Sequence, residues 1–481
     1  MNAALSSRPA RALFGLLLLV ALPYAFPPEL HLPFAPAFSV RRLRLLSPRE
    51  SAGVDATRLE EPTAVGALPL VTGTNDLGTR AEGNVAAADL PKSPKQPLDD
   101  PSGHALDAFF GALARTERKE EGATTRIAYF GDSVVAADWI TSTLRRRLQA
   151  RFGDAGHGYV LPANAWPGYF HQDVARFASK GWKASRVVGP FDPDGIYGLG
   201  GVALVADGPG TFATVATVPP EARSTIGHAV SRFHVGYRTD PTGGNLRLSV
   251  DGQVKETRST RGERPGVAGV TLEVPDGPHK LEVRSMGDGP VTVLGVELER
   301  AGPGVVVDAL GIVGCRVRFL DKIANGVLRE EWGRRKPDLL VLAYGANESE
   351  DGFAYPMADY ERTARAVIVK LKAASPGTSC LLVGPMDRAD KKGDGYVTRP
   401  VIPELARIQR ALAAELGCAY FDTFRAMGGH GSMGVWVQRG LGGKDLVHPT
   451  TTGAAVLAEW IEAAILSRYA DWQATAPPAA P

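Results

Sequence analysis

Four short stretches carry side chains that can do chemistry together: Gly131-Asp132-Ser133, Gly311-Ile312-Val313-Gly314-Cys315, Gly345-Ala346-Asn347-Glu348 and Lys444-Asp445-Leu446-Val447-His448-Pro449. Asp445 and His448 lie three apart. At that spacing the carboxylate can accept a hydrogen bond from one imidazole nitrogen while the other nitrogen faces a serine. A serine hydroxyl stays unreactive until an oriented base takes its proton, and Ser133 is the candidate. The Asn347 amide, with the backbone N–H groups of Ser133 and Gly314, can donate to negative charge developing on a substrate oxygen. Each stretch alone has a plainer reading: a Gly-Asp-Ser helix cap, a loop histidine, an Asn in a strand-end turn. Only the set carries an argument.

Those residues need a scaffold that brings distant segments to one edge. Arg126–Phe130 is a short apolar run entering Gly131, and Asp138–Phe152 follows with apolar residues near helical spacing. Asp338–Tyr344, Cys380–Val383, Ala419–Phe421 and Val305–Asp308 read as further strands. Tyr360–Ala374, Pro403–Leu416 and Thr451–Leu466 read as helices. Strand–helix alternation predicts a parallel sheet covered on both faces, with ligands at the carboxyl ends of its strands. From about Phe212 to Leu298 the period changes to short alternating runs. Asp251-Gly252 and Asp276-Gly277 each sit between two such runs and predict hairpins. A β-sandwich or jelly roll between Phe177 and Pro303 follows as the expectation.

Taken together, the four stretches resemble the SGNH (GDSL-like) hydrolases, which carry Ser, Gly, Asn and His in that order. Ser133 matches the nucleophile, Gly314 the second-block glycine, Asn347 the third-block Asn, and Asp445 with His448 the D-x-x-H block. Two departures stand out: Val313 occupies the place of the usual Asn before Gly314, and G-A-N-E replaces the common G-x-N-D. The run Phe152–Trp166, the β-rich stretch and the exported start look more closely like bacterial peptidoglycan O-acetylesterases. That resemblance implies an α/β fold, a three-layer flavodoxin-like parallel sheet, interrupted by an inserted all-β sandwich resembling a carbohydrate-binding module. It also implies an acetylated wall sugar as substrate. Ser133, Asp445 and His448 would then be the triad, with Ser133, Gly314 and Asn347 forming the oxyanion hole. An O-acetyltransferase would use the same acyl-enzyme, and a non-catalytic wall-binding protein could use the same frame. The β-rich stretch would position polymer and add no catalytic group.

Composition narrows the field. Lys+Arg is 54 against Asp+Glu 52, so no basic excess exists to hold a nucleic acid. Cys315, Cys380 and Cys418 lack C-x-x-C spacing, which excludes a zinc ribbon and a disulfide framework. Neither a phosphate-binding loop, nor H-E-x-x-H, nor a strand-linked dinucleotide fingerprint is present, and no metal or cofactor is expected. Asp192-Pro193-Asp194-Gly195 faintly suggests a calcium loop, but no Glu closes it and a turn is expected. For Trp166, Tyr169 and His171, packing is the expected role and a cleft lining the alternative. Arg8 and Arg11 before the apolar run Ala12–Leu22 form a secretory-signal pattern, either cleaved or kept as a membrane anchor in the cell envelope. The expected organisation is 1–46 signal or anchor, 47–103 linker, 104–176 and 304–470 the split α/β domain, 177–303 the β-sandwich, and 471–481 a tail.

Overall fold

The strand Thr124–Gly131 is apolar on both faces, so it can be stable only at the centre of a covered sheet. In the computed structural model, which describes residues 96–206, 208–393 and 395–475, it is flanked by parallel strands on both sides. The sheet order is Gly304–Gly311, Thr124–Gly131, Leu339–Ala343, Ser379–Val383, Ala419–Phe421, every pair parallel. Numbered along the chain that order is 2-1-3-4-5, the doubly wound flavodoxin-like arrangement. Alternate residues along each strand serve opposite faces. Ile127, Tyr129, Leu339 and Val341 pack with helices Asp107–Glu117, Trp139–Phe152 and Thr451–Thr475. Phe130, Leu340 and Leu342 pack on the other side with Asn325–Arg335, Met357–Ala374 and Val401–Glu415.

Between the first two parallel strands in sequence lie two antiparallel sheets. One orders Gly266–Gly277, Val230–Thr239, Val291–Glu299, Val202–Ala206 and Trp182–Arg186, and Gly158–Val160 pairs with Val291–Glu299. The other orders Ala175–Ala178, Phe212–Ala216, Lys280–Ser285, Asn245–Val250 and Gln253–Ser259. Alternation places Phe233, Val235 and Val293 of the first sheet in one apolar cluster with Leu246, Leu248 and Leu281 of the second. The same cluster continues into the Phe130 face of the parallel sheet.

Several sequence expectations need correction. The border near Phe177 falls inside the strand Ala175–Ala178, and Gly158–Val160 already belongs to an antiparallel sheet. Asp276-Gly277 makes no hairpin: the strand before it pairs with Val230–Thr239, while Lys280–Ser285 pairs in the other sheet. Of the expected linker, residues 96–103 are described, and they include ordered pairing. Asp99 exchanges backbone hydrogen bonds of 2.8 Å with Tyr420 and extends the edge of the parallel sheet. Residues 471–475 are helical rather than tail. Cys380, in one parallel strand, and Cys418, just before the neighbouring one, are 4.6 Å apart at Cα and form a disulfide that their spacing did not reveal. The expected signal or anchor lies outside the described residues. Among the described residues no helix is long and apolar enough to cross a membrane.

Candidate active site

Gly131, Gly311 and Ala343 are register partners at the carboxyl ends of three adjacent strands. Ser133 follows the first, Gly314 the second and Asn347 the third. The chain reverses its direction of sheet growth between the strands carrying Ser133 and Asn347, and that switch opens a crevice. The turn Ser133–Ala136 can sit on the sheet because Gly311 has no side chain; a Cβ there would lie 2.1 Å from Ala136 N.

Asp132 is the N-cap of that turn, accepting from Val134 N at 3.4 Å. The plain reading of Gly-Asp-Ser as a cap therefore describes Asp132 and leaves the Ser133 hydroxyl free for other work. Ser133 Oγ lies 2.7 Å from His448 Nε2. The other ring nitrogen, Nδ1, lies 2.7 Å from Asp445 Oδ2. Asp445 Oδ1 accepts from the backbone N–H groups of Val447 and His448, both at 3.0 Å. Leu446, which follows Asp445, takes φ 61°, a conformation unusual for a residue with a Cβ. Its cost is offset by those carboxylate bonds and by Leu446 packing on the core beneath.

Charge in the site is arranged around the imidazole. Burial opposes protonation of His448, but the Asp445 hydrogen bond and charge, joined by Asp132, raise its pKa above the usual histidine value. Burial also works against the Asp445 anion, yet bonds from His448 and Val447 hold its pKa at about 2. Burial lifts Asp132 to about 6 against the opposing Val134 bond and the His448 charge.

Asn347 Nδ2 donates to Cys315 O at 3.0 Å, which ties the third block to the Gly314 turn. An amide carries two N–H bonds, so one remains for a ligand. Gly314 takes φ +75°, which favours glycine there although a Cβ would meet open space. Glu348 Oε1 accepts from Val317 N at 2.8 Å and fixes the segment after Gly314. Burial raises Glu348 to about 7. Cys315 is buried, and burial with the Glu348 charge pushes its thiol up, so it stays protonated.

The structure thus brings Ser133, Asp445 and His448 into one hydrogen-bonded chain and sets Asn347 against Gly314. A serine so connected can attack a carbonyl while the ring takes its proton, and amide donors at strand ends can receive the oxyanion. Residues 274–456 match the GDSL-like Lipase/Acylhydrolase family. The chain carries a GDSL-like acylhydrolase domain. That places it among the carboxylic ester hydrolases. The matched span of the acylhydrolase domain holds Gly314, Asn347, Asp445 and His448, while Ser133 lies before it.

A solved peptidoglycan O-acetylesterase is similar with a TM-score of 0.65 at 24% identity, covering 78% of this chain and 99% of its own. It establishes the SGNH hydrolase fold. A catalytic mutant of an acetylxylan esterase from Geobacillus stearothermophilus is 22% identical over 34% of this chain and 73% of its own, TM-score 0.26. A family two carbohydrate esterase from Cellvibrio japonicus is 12% identical over 62% of this chain and 99% of its own, TM-score 0.25. No curated protein matches the sequence.

Other candidates resolve as structure. Arg238 bonds Asp192 at 2.7 Å and Asp194 at 2.5 Å, so a guanidinium fills the turn where calcium was considered. Trp166, Tyr169 and His171 are buried and pack on one another. Among the described residues no cluster of His, Cys, Asp and Glu could hold a metal. Sequence reasoning missed Asp132 as a charge acting on His448, and it missed Arg388, which also acts on that ring. The available signal for Arg388 was its place in a charged pair, Asp387-Arg388, just past the carboxyl end of a parallel strand.

Proposed function

We propose that the protein is an exported serine esterase that removes O-acetyl groups from a glycan, with peptidoglycan as the substrate class. The observation that carries the reading is the chain Ser133 Oγ, His448 Nε2, His448 Nδ1, Asp445 Oδ2, each contact 2.7 Å. Ser133 attacks the acetyl carbon and its proton passes to His448. The oxyanion is held by the N–H groups of Ser133 and Gly314 and by the Asn347 amide. The alcohol oxygen of the sugar leaves with the proton from His448, and water then releases acetate by the same route. Asp445 keeps the ring oriented and stabilises the imidazolium.

Support for the glycan comes from the solved structure of TM-score 0.65, a peptidoglycan O-acetylesterase aligned over nearly all its length. Support for export comes from the Cys380–Cys418 disulfide, a bond that persists in oxidising compartments. The paired antiparallel sheets act as an inserted module that presents polymer to the crevice and adds no catalytic group; all five site residues come from the parallel-sheet segments. Replacing Ser133 with Ala tests the core of the reading. Hydrolysis of a small acetyl ester should vanish while the thermal transition stays in place; full activity in that variant would defeat it.

A further inference from the structure

The strand Ser379–Val383 delivers Asp387-Arg388-Ala389 to the rim of the crevice, and each of these residues grips a different element. Asp387 Oδ2 accepts from Met433 N at 2.8 Å, at the start of the helix Ser432–Gln438. Arg388 Nη1 donates to Ala346 O at 3.0 Å and to Ser349 Oγ at 3.3 Å, on either side of Asn347. Its Nη2 bonds Glu350. Ala389 N donates to Leu446 O at 3.2 Å, inside the turn that carries Asp445 and His448. One buried guanidinium and the next backbone amide therefore span the Asn347 turn and the His448 loop.

We propose that Arg388 is a positioning residue that locks the oxyanion-side Asn347 turn to the loop bearing the base, so that donor and base share one frame. This rests on the esterase reading above. The guanidinium is tied down by Ala346, Ser349 and Glu350, which assigns it to the protein rather than to substrate. Its charge also reaches the imidazole. The charged groups acting on His448 are Asp445 and Asp132, which favour the imidazolium, and Arg388, which disfavours it. Arg399 shares the Glu350 side with Arg388, at 3.9 Å from that carboxylate, and pairs with Asp390.

Two substitutions separate geometry from charge. Arg388→Met removes both, and its kcat should fall roughly 10- to 100-fold with KM changing less than about twofold. Its acid limb should move to higher pH, because a cation that opposes imidazolium is gone. Arg388→Lys keeps the charge but cannot span Ala346 and Glu350 together, so kcat should fall while the acid limb stays. Wild-type kcat in both variants overturns the proposal, as does a loss carried by KM alone. If Arg388→Met shows no thermal transition, Arg388→Lys and Glu350→Gln decide, and wild-type kcat in both overturns it. Titration of the His448 ring by NMR gives the charge comparison without turnover. A parent protein that hydrolyses no acetyl ester defeats the esterase reading, whereas wild-type kcat in Arg388→Met and Arg388→Lys of an active parent defeats the role of Arg388.

Discussion

One carboxylate of Asp445 bonds His448 twice: Oδ1 accepts its backbone N–H at 3.0 Å, and Oδ2 faces its Nδ1 at 2.7 Å. The group that folds the loop is also the group that orients the ring. Function and local folding are coupled in a single side chain, so a substitution that spares one bond can still lose the other.

Asp445→Asn should keep the loop, since an amide oxygen can still accept the Val447 and His448 N–H groups. It should lose the charge that raises the His448 pKa. The acid limb of kcat/KM, which requires neutral His448, should then move to lower pH. The rate on the plateau should nevertheless fall, by up to about 10⁴-fold, because the wrong tautomer faces Ser133. A pH–rate profile with unchanged limb and unchanged plateau would remove Asp445 from the mechanism.

Excising 177–303 with a short Gly/Ser bridge is predicted to prevent folding. Arg335 is buried and bonds Asp308 of a parallel strand at 2.7 and 2.8 Å, yet it also pairs with Glu297 and Glu299 of an antiparallel strand. Arg334 pairs with Glu297 at 2.6 Å. Excision leaves Arg335 with Asp308 alone of its three carboxylate partners and uncovers the apolar Phe130 face, which the antiparallel sheets share in one cluster. Thermal unfolding of the excised chain measures it. A cooperative transition in the simple deletion would show that the joint is not needed.

Reduction of the Cys380–Cys418 bond is predicted to lower stability by about 3–4 kcal/mol, from the loop-entropy relation at this sequence separation of 38. Denaturant unfolding with and without reductant measures it. Because the bond lies at the amino-terminal ends of two adjacent strands, opposite the carboxyl ends that carry the site, acetyl-ester turnover below the transition should persist. Equal midpoints under both conditions would contradict the prediction.

How much of this was legible in the chain depended on distance. The Asp251-Gly252 hairpin was readable because a type I′ turn needs two residues at positive φ, and the structure gives 52° and 79° with Val250 opposite Gln253. Asp276-Gly277 carries the same local signal but bridges two sheets, and the choice of partner strand is set by non-local packing. Asp445 and His448 were readable as a pair because their bond is local. Joining them to Ser133, 315 residues away, required a family pattern rather than periodicity. Arg388 had no such help. Its bonds reach 42 and 38 residues back, and an Asp-Arg pair after a strand does not reveal which distant turn it holds.

The last prediction concerns stability against pH, where buried groups oppose one another. His171 is buried and its pKa falls to about 4, chiefly through burial, while His157 beside it is lowered by burial and the Arg145 charge. Such groups are neutral when folded and protonate when unfolded, so their contribution is lost as pH falls from about 6.5 toward 4. For His171 that is about 3 kcal/mol. Asp132 and Glu348 act in the reverse sense. Burial raises them to about 6 and about 7, so the folded state holds protons that the unfolded state has released. Their penalty is relieved as pH falls through those values, by a similar amount each. The parent protein should therefore show a shallow stability curve between pH 7 and 4.5. His171→Gln should gain on the parent as pH falls across that window, and Asp132→Asn should lose on it. Denaturant midpoints of the three proteins at pH 7, 5.5 and 4.5 measure both differences. Parallel curves for parent and variants would mean that neither group changes its proton occupancy on folding.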